Sequence, residues 1–181
     1  MGKVELDFYQ TPQKLTQVLL ENQSAIQGKI LEPCCGSGAI SSYLLEQGFG
    51  VQATDIKDGE KYDATTFNYW ETIPQPVHWI VTNPPFTDAP IILKYSLEHA
   101  KVGVAMLLRL SFLEPCKNRS ELLQTYADNF IQIIPFNPRV KFNPDDKGTD
   151  NVTVAWFVWN KNFSWQKIGI RCPFKFENNW K

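Results

Sequence analysis

The sequence predicts an α/β domain built on a mostly parallel sheet. Short apolar runs of strand length alternate with amphipathic stretches of helix length, the pattern left by strands joined through crossover helices. The segment Ile30-Leu31-Glu32-Pro33-Cys34-Cys35-Gly36-Ser37-Gly38 passes from an apolar run through a glycine turn into a helical pattern, as a strand–loop–helix unit does at the carboxyl edge of such a sheet. No internal repeat or low-complexity tract competes with this reading.

The first helix is expected to begin at Thr11-Pro12, with Thr as N-cap, Pro in the first turn, and Leu15, Val18 and Leu19 along one face. Lys29–Glu32 reads as the first strand. The glycine turn leads into a helix ending near Gln47, and residues 51–55 form the second strand. Residues 58–76 are polar and aromatic without a clean period, and a short helix over Phe67–Glu71 is the expectation there. Residues 78–82 read as a buried strand stopped by Asn83-Pro84-Pro85, because neither proline can donate to a ladder. Asp88 is expected to cap a helix with Pro90 in its first turn and Ile91, Ile92 and Tyr95 inward. Residues 102–108 make a strongly apolar strand, Ser120 begins a further helix, and residues 131–134 and 152–159 are two more strands. The intervening loop, 135–151, holds three prolines and most of the local basic charge; a loop of that length is functional or disordered.

Composition excludes several classes. The 181 residues carry 18 Lys+Arg against 19 Asp+Glu, a formal charge of −1, with 43% hydrophobic and 20% charged residues, ordinary for a globular protein. A chain this long buries roughly 70% of its unfolded surface, so a single domain over 1–181 is expected, its core at about 8–160 and a tail, 161–181, without an assigned place. No run approaches the roughly 20 apolar residues of a membrane span. The start, MGKVELDFYQ, has no apolar signal core, and Leu6 breaks a myristoylation pattern. Cys34, Cys35, Cys116 and Cys172 have no CxxC or Cys/His spacing, so neither zinc nor a disulfide scaffold is expected, and a reduced, cytoplasmic location follows. His78 and His99, the two histidines, are expected to be structural. The near-neutral charge leaves room for a local basic cluster that binds nucleic acid.

Two motifs carry chemistry. The glycine turn lets a ligand approach the backbone, and Asp55, closing the second strand, can accept hydrogen bonds from both hydroxyls of a ribose. Gly36-Ser37-Gly38-Ala39-Ile40-Ser41 lacks the third small position of a dinucleotide fingerprint, and no Walker loop is present. Asn83-Pro84-Pro85-Phe86 fixes two acceptors, the Asn83 amide and the Pro84 carbonyl, beside the flat face of Phe86. That set suits a planar group bearing –NH2, whose nitrogen gains a usable lone pair when both hydrogens are held by acceptors.

With these residues the chain resembles the class I S-adenosylmethionine-dependent methyltransferases, in particular the N6-adenine type with an NPPF or NPPY signature. It is similar in brevity to the small phage-type DNA adenine methyltransferases. The match runs from about Phe8 to Trp159 in the family's order, with Tyr-Gln-Thr-Pro, glycine turn and NPPF in succession; Cys34-Cys35 stands where the family has a small or polar pair. The resemblance implies a Rossmann-like fold with a mostly parallel seven-stranded sheet and helices on both faces. It implies S-adenosyl-L-methionine as cofactor and no metal. Thr11, Glu32, Cys34, Gly36, Gly38, Asp55, Ile56, Asp63 and Asn83 would contact the cofactor, with Asp55 on the ribose, Asp63 on the adenine amino group and Ile56 against the adenine ring. Asn83, Pro84, Pro85 and Phe86 would be catalytic.

For the substrate, the resemblance implies an aromatic that sandwiches a flipped base. Phe142 is the candidate, with Phe86 on the other face and Arg139, Lys141 and Lys147 near phosphates; plugging the sheet edge is the other reading of Phe142. Arg109, Lys117 and Arg119 either extend that basic strip or are solvated loop charge. Trp156 and Trp159 are expected in the core. No separate target-recognition domain fits, so sequence reading would fall to loop 135–151 and the tail. The expected function is methyl transfer to N6 of adenine in DNA. The alternatives are adenine in RNA, a protein glutamine amide, and a catalytically silent cofactor-fold subunit that only binds.

Overall fold

The computed structural model describes residues 10–142 and 153–175. Tyr9, Lys147, Val152 and residues 176–181, which figure in the expectations above, lie outside the described residues. The chain runs α1 (Gln13–Asn22), β1 (Lys29–Glu32), α2 (Ala39–Glu46), β2 (Gly50–Ala53), two 3-10 turns, α3 (Phe67–Glu71), β3 (Trp79–Thr82), α4 (Ala89–His99), β4 (Gly103–Arg109), α5 (Lys117–Thr125), β5 (Phe130–Pro135) and β6 (Val154–Asn160). The strand order is β2-β1-β3-β4-β6-β5. Pairings from β2 across to β4 are parallel, and β6 alone runs against its neighbours.

The apolar runs explain the layers. β3, β4 and β6 are buried almost end to end, as strands covered on both faces must be. Along β4, Val104, Met106 and Leu108 join one core with Trp70, Leu93, Leu97, Phe157 and Trp159. Ala105 and Leu107 join the other, with Leu15, Leu19, Ile40, Leu44, Trp156 and Val158. The period-two alternation of a strand thus divides one sequence between two cores: α3 and α4 cover the first face, α1 and α2 the second. Trp156 and Trp159 are fully buried, and the Trp156 indole N–H donates to the Leu15 carbonyl at 2.8 Å.

The expectation of seven strands is corrected: the described residues form six. After β2 the chain makes 3-10 turns at Ile56–Asp58 and Glu60–Tyr62 and then α3. The polar, aromatic stretch there has no alternating apolar run with which to extend the sheet edge. Thr11 does not cap α1 either. Pro12 holds the N-cap position, and the Thr11 hydroxyl is engaged elsewhere. Asp88 stands at the N-cap of α4 without a side-chain cap bond, and α5 begins at Lys117, three residues before Ser120.

Both histidines make contacts within the fold, and neither lines a cavity described below. His78 Nδ1 accepts from the Lys29 N–H at 3.0 Å, and the His99 ring lies tilted against Trp70 at 5.1 Å between centroids. The first part of the tail packs against the start of β5: the Trp165 indole donates to the Phe130 carbonyl, Asp128 accepts from the Gln166 N–H, and Phe174 meets the Phe130 ring edge-on. Lys161 Nζ donates to the Leu97 and Ala100 carbonyls at the end of α4. No helix among the described residues is long and apolar enough to cross a membrane.

Candidate functional site

β1 lies between β2, reached first, and β3, reached by crossing over. The direction of winding reverses there, so a crevice opens beyond the carboxyl ends of β1 and β3. A cleft of about 1090 Å³, part of it open to solvent, occupies that position. The expected residues Thr11, Glu32, Cys34, Gly36, Asp55, Ile56, Asp63, Asn83, Pro84, Pro85 and Phe86 all line it. Residues from five separate stretches of chain therefore meet in one place.

The glycine turn is tied to the end of β2. The Cys35 N–H donates to the Thr54 carbonyl at 3.0 Å, the Gly36 N–H to Asp55 Oδ2 at 2.7 Å, and the Gly38 N–H to the Cys35 carbonyl at 2.7 Å. Asp55 Oδ1 also accepts from the Lys57 N–H at 3.0 Å. Three loop donors that a pyrophosphate would need are thus engaged within the protein, unlike a phosphate cradle. Gly38 does not line the cleft. Its φ of 84° lies in the left-handed region at the N-cap of α2, a conformation in which glycine shapes the turn.

Charge separates the cleft from its surroundings. Glu32, Asp55, Asp63 and Asp88 line it against one cation, Lys57. Glu32 is 1% exposed and its Oε2 has no partner. Burial pushes its carboxyl up to about 8; hydrogen bonds from Ser41 and the charge of Lys57 oppose this, and the Asp55 carboxylate reinforces it. Burial also raises the Cys34 thiol, and raises that of Cys35 to about 11, so both remain neutral and poorly suited to act as nucleophiles. Asp63 Oδ1 accepts from the Thr65 N–H and hydroxyl at 2.9 and 2.6 Å.

At the end of β3, Asn83 Nδ2 donates to the Thr11 hydroxyl at 3.1 Å. That bond orients the amide and leaves Asn83 Oδ1 buried with no partner. A buried acceptor without a donor is costly, about 1–3 kcal/mol, and such atoms in a cleft mark places where a ligand completes the bonding. Phe86 borders the α1-side core, and the Arg109 guanidinium lies over its ring, 4.3 Å from the centroid.

The structure does not bring the other candidates into the cleft. Along 139–142, Arg139 and Lys141 are exposed while Val140 and Phe142 are buried, and none of the four lines the cleft. Phe142, 8% exposed, packs in the α1-side core with Leu15 and Trp156. Conversely, Tyr62, Asp88 and Ile92 line the cleft without having been singled out for it. Asp88 follows NPPF by two residues, a proximity that was readable as a site signal as well as a cap.

No family model matches the sequence, and no curated protein matches it. Solved structures do resemble it. The modification subunit assigned to a type I restriction enzyme of Vibrio vulnificus superposes with a TM-score of 0.63 at 12% identity, over 86% of this chain and 45% of that one. An assigned RNA methyltransferase from Pyrococcus horikoshii gives 0.54 at 15%, over 88% and 90%. Magnesium protoporphyrin IX methyltransferase from Synechocystis, with bound S-adenosylmethionine, gives 0.53 at 11%, over 82% and 78%. The chain thus spans under half the length of the Vibrio subunit. These likenesses establish the fold: a Rossmann-like class I methyltransferase fold.

Proposed function

We propose that this chain is an S-adenosylmethionine-dependent methyltransferase acting on the N6 amino group of adenine in DNA. The observation that carries the reading is Asn83, whose amide nitrogen is held by Thr11 while its oxygen is buried without a donor at the carboxyl end of β3. An amino group is the complementary ligand for that oxygen and the neighbouring Pro84 carbonyl.

The residues fit the cofactor in kind. A cleft with four carboxyl residues, one lysine and an unpartnered Glu32 oxygen suits a ligand bearing ammonium and sulfonium charge. Each Asp55 oxygen accepts one backbone bond and retains a lone pair for a ribose hydroxyl. Ile56, 42% exposed, offers an apolar surface to an adenine ring, and Asp63 an acceptor to its amino group. When bound, S-adenosylmethionine would supply an electrophilic methyl group carried on a sulfonium.

The protein's part in the reaction is positioning and preorganised polarity. Asn83 Oδ1 and the Pro84 carbonyl draw the target amino group towards a pyramidal nitrogen, with its lone pair out of ring conjugation. Phe86 gives the base a face to stack on. The displaced amino proton is acidic once nitrogen carries its new bond and passes to water, so no strong base is required. Asn83→Ala should lower single-turnover methyl transfer by about 10²-fold or more with its melting temperature little changed; a rate near wild type would refute the reading.

The same chemistry on adenine in RNA is the second reading. The observation favouring it is the fit of this chain along 90% of the assigned Pyrococcus RNA methyltransferase.

A further inference from the structure

A second cavity, of about 470 Å³, lies next to the cleft, and Phe86 lines both. Its chemistry is the reverse of the cleft's. Arg109, Arg119, Thr87 and Ser111 supply two cations and two hydroxyls, and no carboxylate is among its lining residues. We propose that this cavity, framed by Arg109 and Arg119 beside Phe86, is a phosphate subsite that holds the phosphodiester next to the target nucleotide. The proposal rests on the reading of Phe86 as the stacking surface for a nucleic-acid base.

Arg109 is the last residue of β4, and the parallel register of Thr82 with Met106 brings it level with the NPPF segment leaving β3. Its guanidinium lies over the Phe86 ring, and its Nε is buried without a partner. A cation held on an aromatic face is aligned, and an unpaired buried N–H calls for an acceptor. Arg119, in the first turn of α5, is braced from behind: Nη2 donates to the Glu114 carbonyl at 2.9 Å and Nε to Cys116 Sγ at 3.1 Å. Its guanidinium also sits over Phe112, 5.6 Å from the centroid. Two of its five donors are thus used for positioning, and the others can bind an anion. Among the described residues neither arginine forms an ion pair with a carboxylate; the pair there is Lys94–Glu98. A planar donor fork is the group best matched to a phosphate. A base stacked at Phe86 carries its phosphate one sugar away, in reach of the adjoining cavity and clear of the acid-lined cleft.

The test measures binding of a short fluorescent single-stranded oligonucleotide by anisotropy across a salt series, with S-adenosylmethionine affinity determined separately by calorimetry. Arg119→Gln should weaken oligonucleotide binding about tenfold and reduce the slope of log K against log salt by about 1, with cofactor affinity at the wild-type value. Arg109→Gln should act in the same direction. Because Arg109 also touches Phe86, Ser111→Asp serves as a second probe: residue 111 is exposed, and a carboxylate there should repel phosphate without disturbing the core. Wild-type affinity and salt slope in Arg119→Gln and Ser111→Asp would overturn the subsite while leaving the methyl-transfer reading in place. A wild-type protein that binds the cofactor but neither binds nor methylates any nucleic acid would overturn the nucleic-acid reading, and the subsite with it.

Discussion

Replacing Glu32 with glutamine should remove a pH dependence built into the fold. Glu32 is 1% exposed at the end of β1, and burial raises its carboxyl from 4.5 to about 8. Between those values the folded protein holds a proton that the unfolded chain releases. The stability this proton contributes is complete below pH 4.5 and is lost as pH rises through about 8. The slope is about 1.4 kcal/mol per pH unit, and the whole interval is worth on the order of 5 kcal/mol. For a chain of this size, 1.4 kcal/mol corresponds to roughly 3–5 °C in melting temperature. Glu32→Gln stays neutral at every pH, so its melting temperature should gain on wild type by that amount for each unit from pH 5.5 to 8. Scanning fluorimetry of both proteins in matched buffers reads the difference directly. Saturating S-adenosylmethionine should flatten the wild-type curve, because a cation beside the carboxylate favours its charged form. Parallel curves for the two proteins without cofactor would refute the reasoning.

Asp55→Ala should weaken S-adenosylmethionine binding at least tenfold, the order of one hydrogen bond to a charged group, as measured by calorimetry; unchanged affinity would remove Asp55 from the site. Gly103→Ala should destabilise the protein by about 1–3 kcal/mol, because a Cβ there would lie 2.4 Å from the Trp159 carbonyl oxygen and 2.5 Å from the Trp79 ring. Urea unfolding with a wild-type midpoint would show that β4 has more room than this packing allows.

The strands and the position of the cleft were legible because long-range packing here follows local pattern. Apolar runs too short for helices, each followed by a turn, gave β1, β3, β4 and β6 to within two residues, and Asn83-Pro84-Pro85 marked where β3 had to stop. The short α3 was legible at Phe67–Glu71 even though its surroundings have no period. Contacts between residues distant in sequence were less readable. Nothing in Thr11-Pro12 distinguishes a cap from a hydroxyl that pins Asn83, since the choice depends on where β3 ends in space. Val140 and Phe142 alternate with Arg139 and Lys141, and that alternation pointed to burial, but an aromatic beside basic residues was also the pattern of a stacking surface. Arg109 over Phe86 becomes visible only once the register of β3 with β4 is known. The tail's place depends on Asp128 and Trp165, which no periodicity links.

The central claim is that the Asn83 site methylates the amino group of adenine. Labelled S-adenosylmethionine, incubated with the protein and separately with duplex DNA, single-stranded DNA and bulk RNA, followed by digestion and mass spectrometry of the nucleosides, tests it most directly. Label is expected in N6-methyldeoxyadenosine from DNA, and is absent with Asn83→Ala. Label in N6-methyladenosine from RNA alone would keep the chemistry and change the substrate. Label on any other nucleoside, or on none while the cofactor binds, would contradict it.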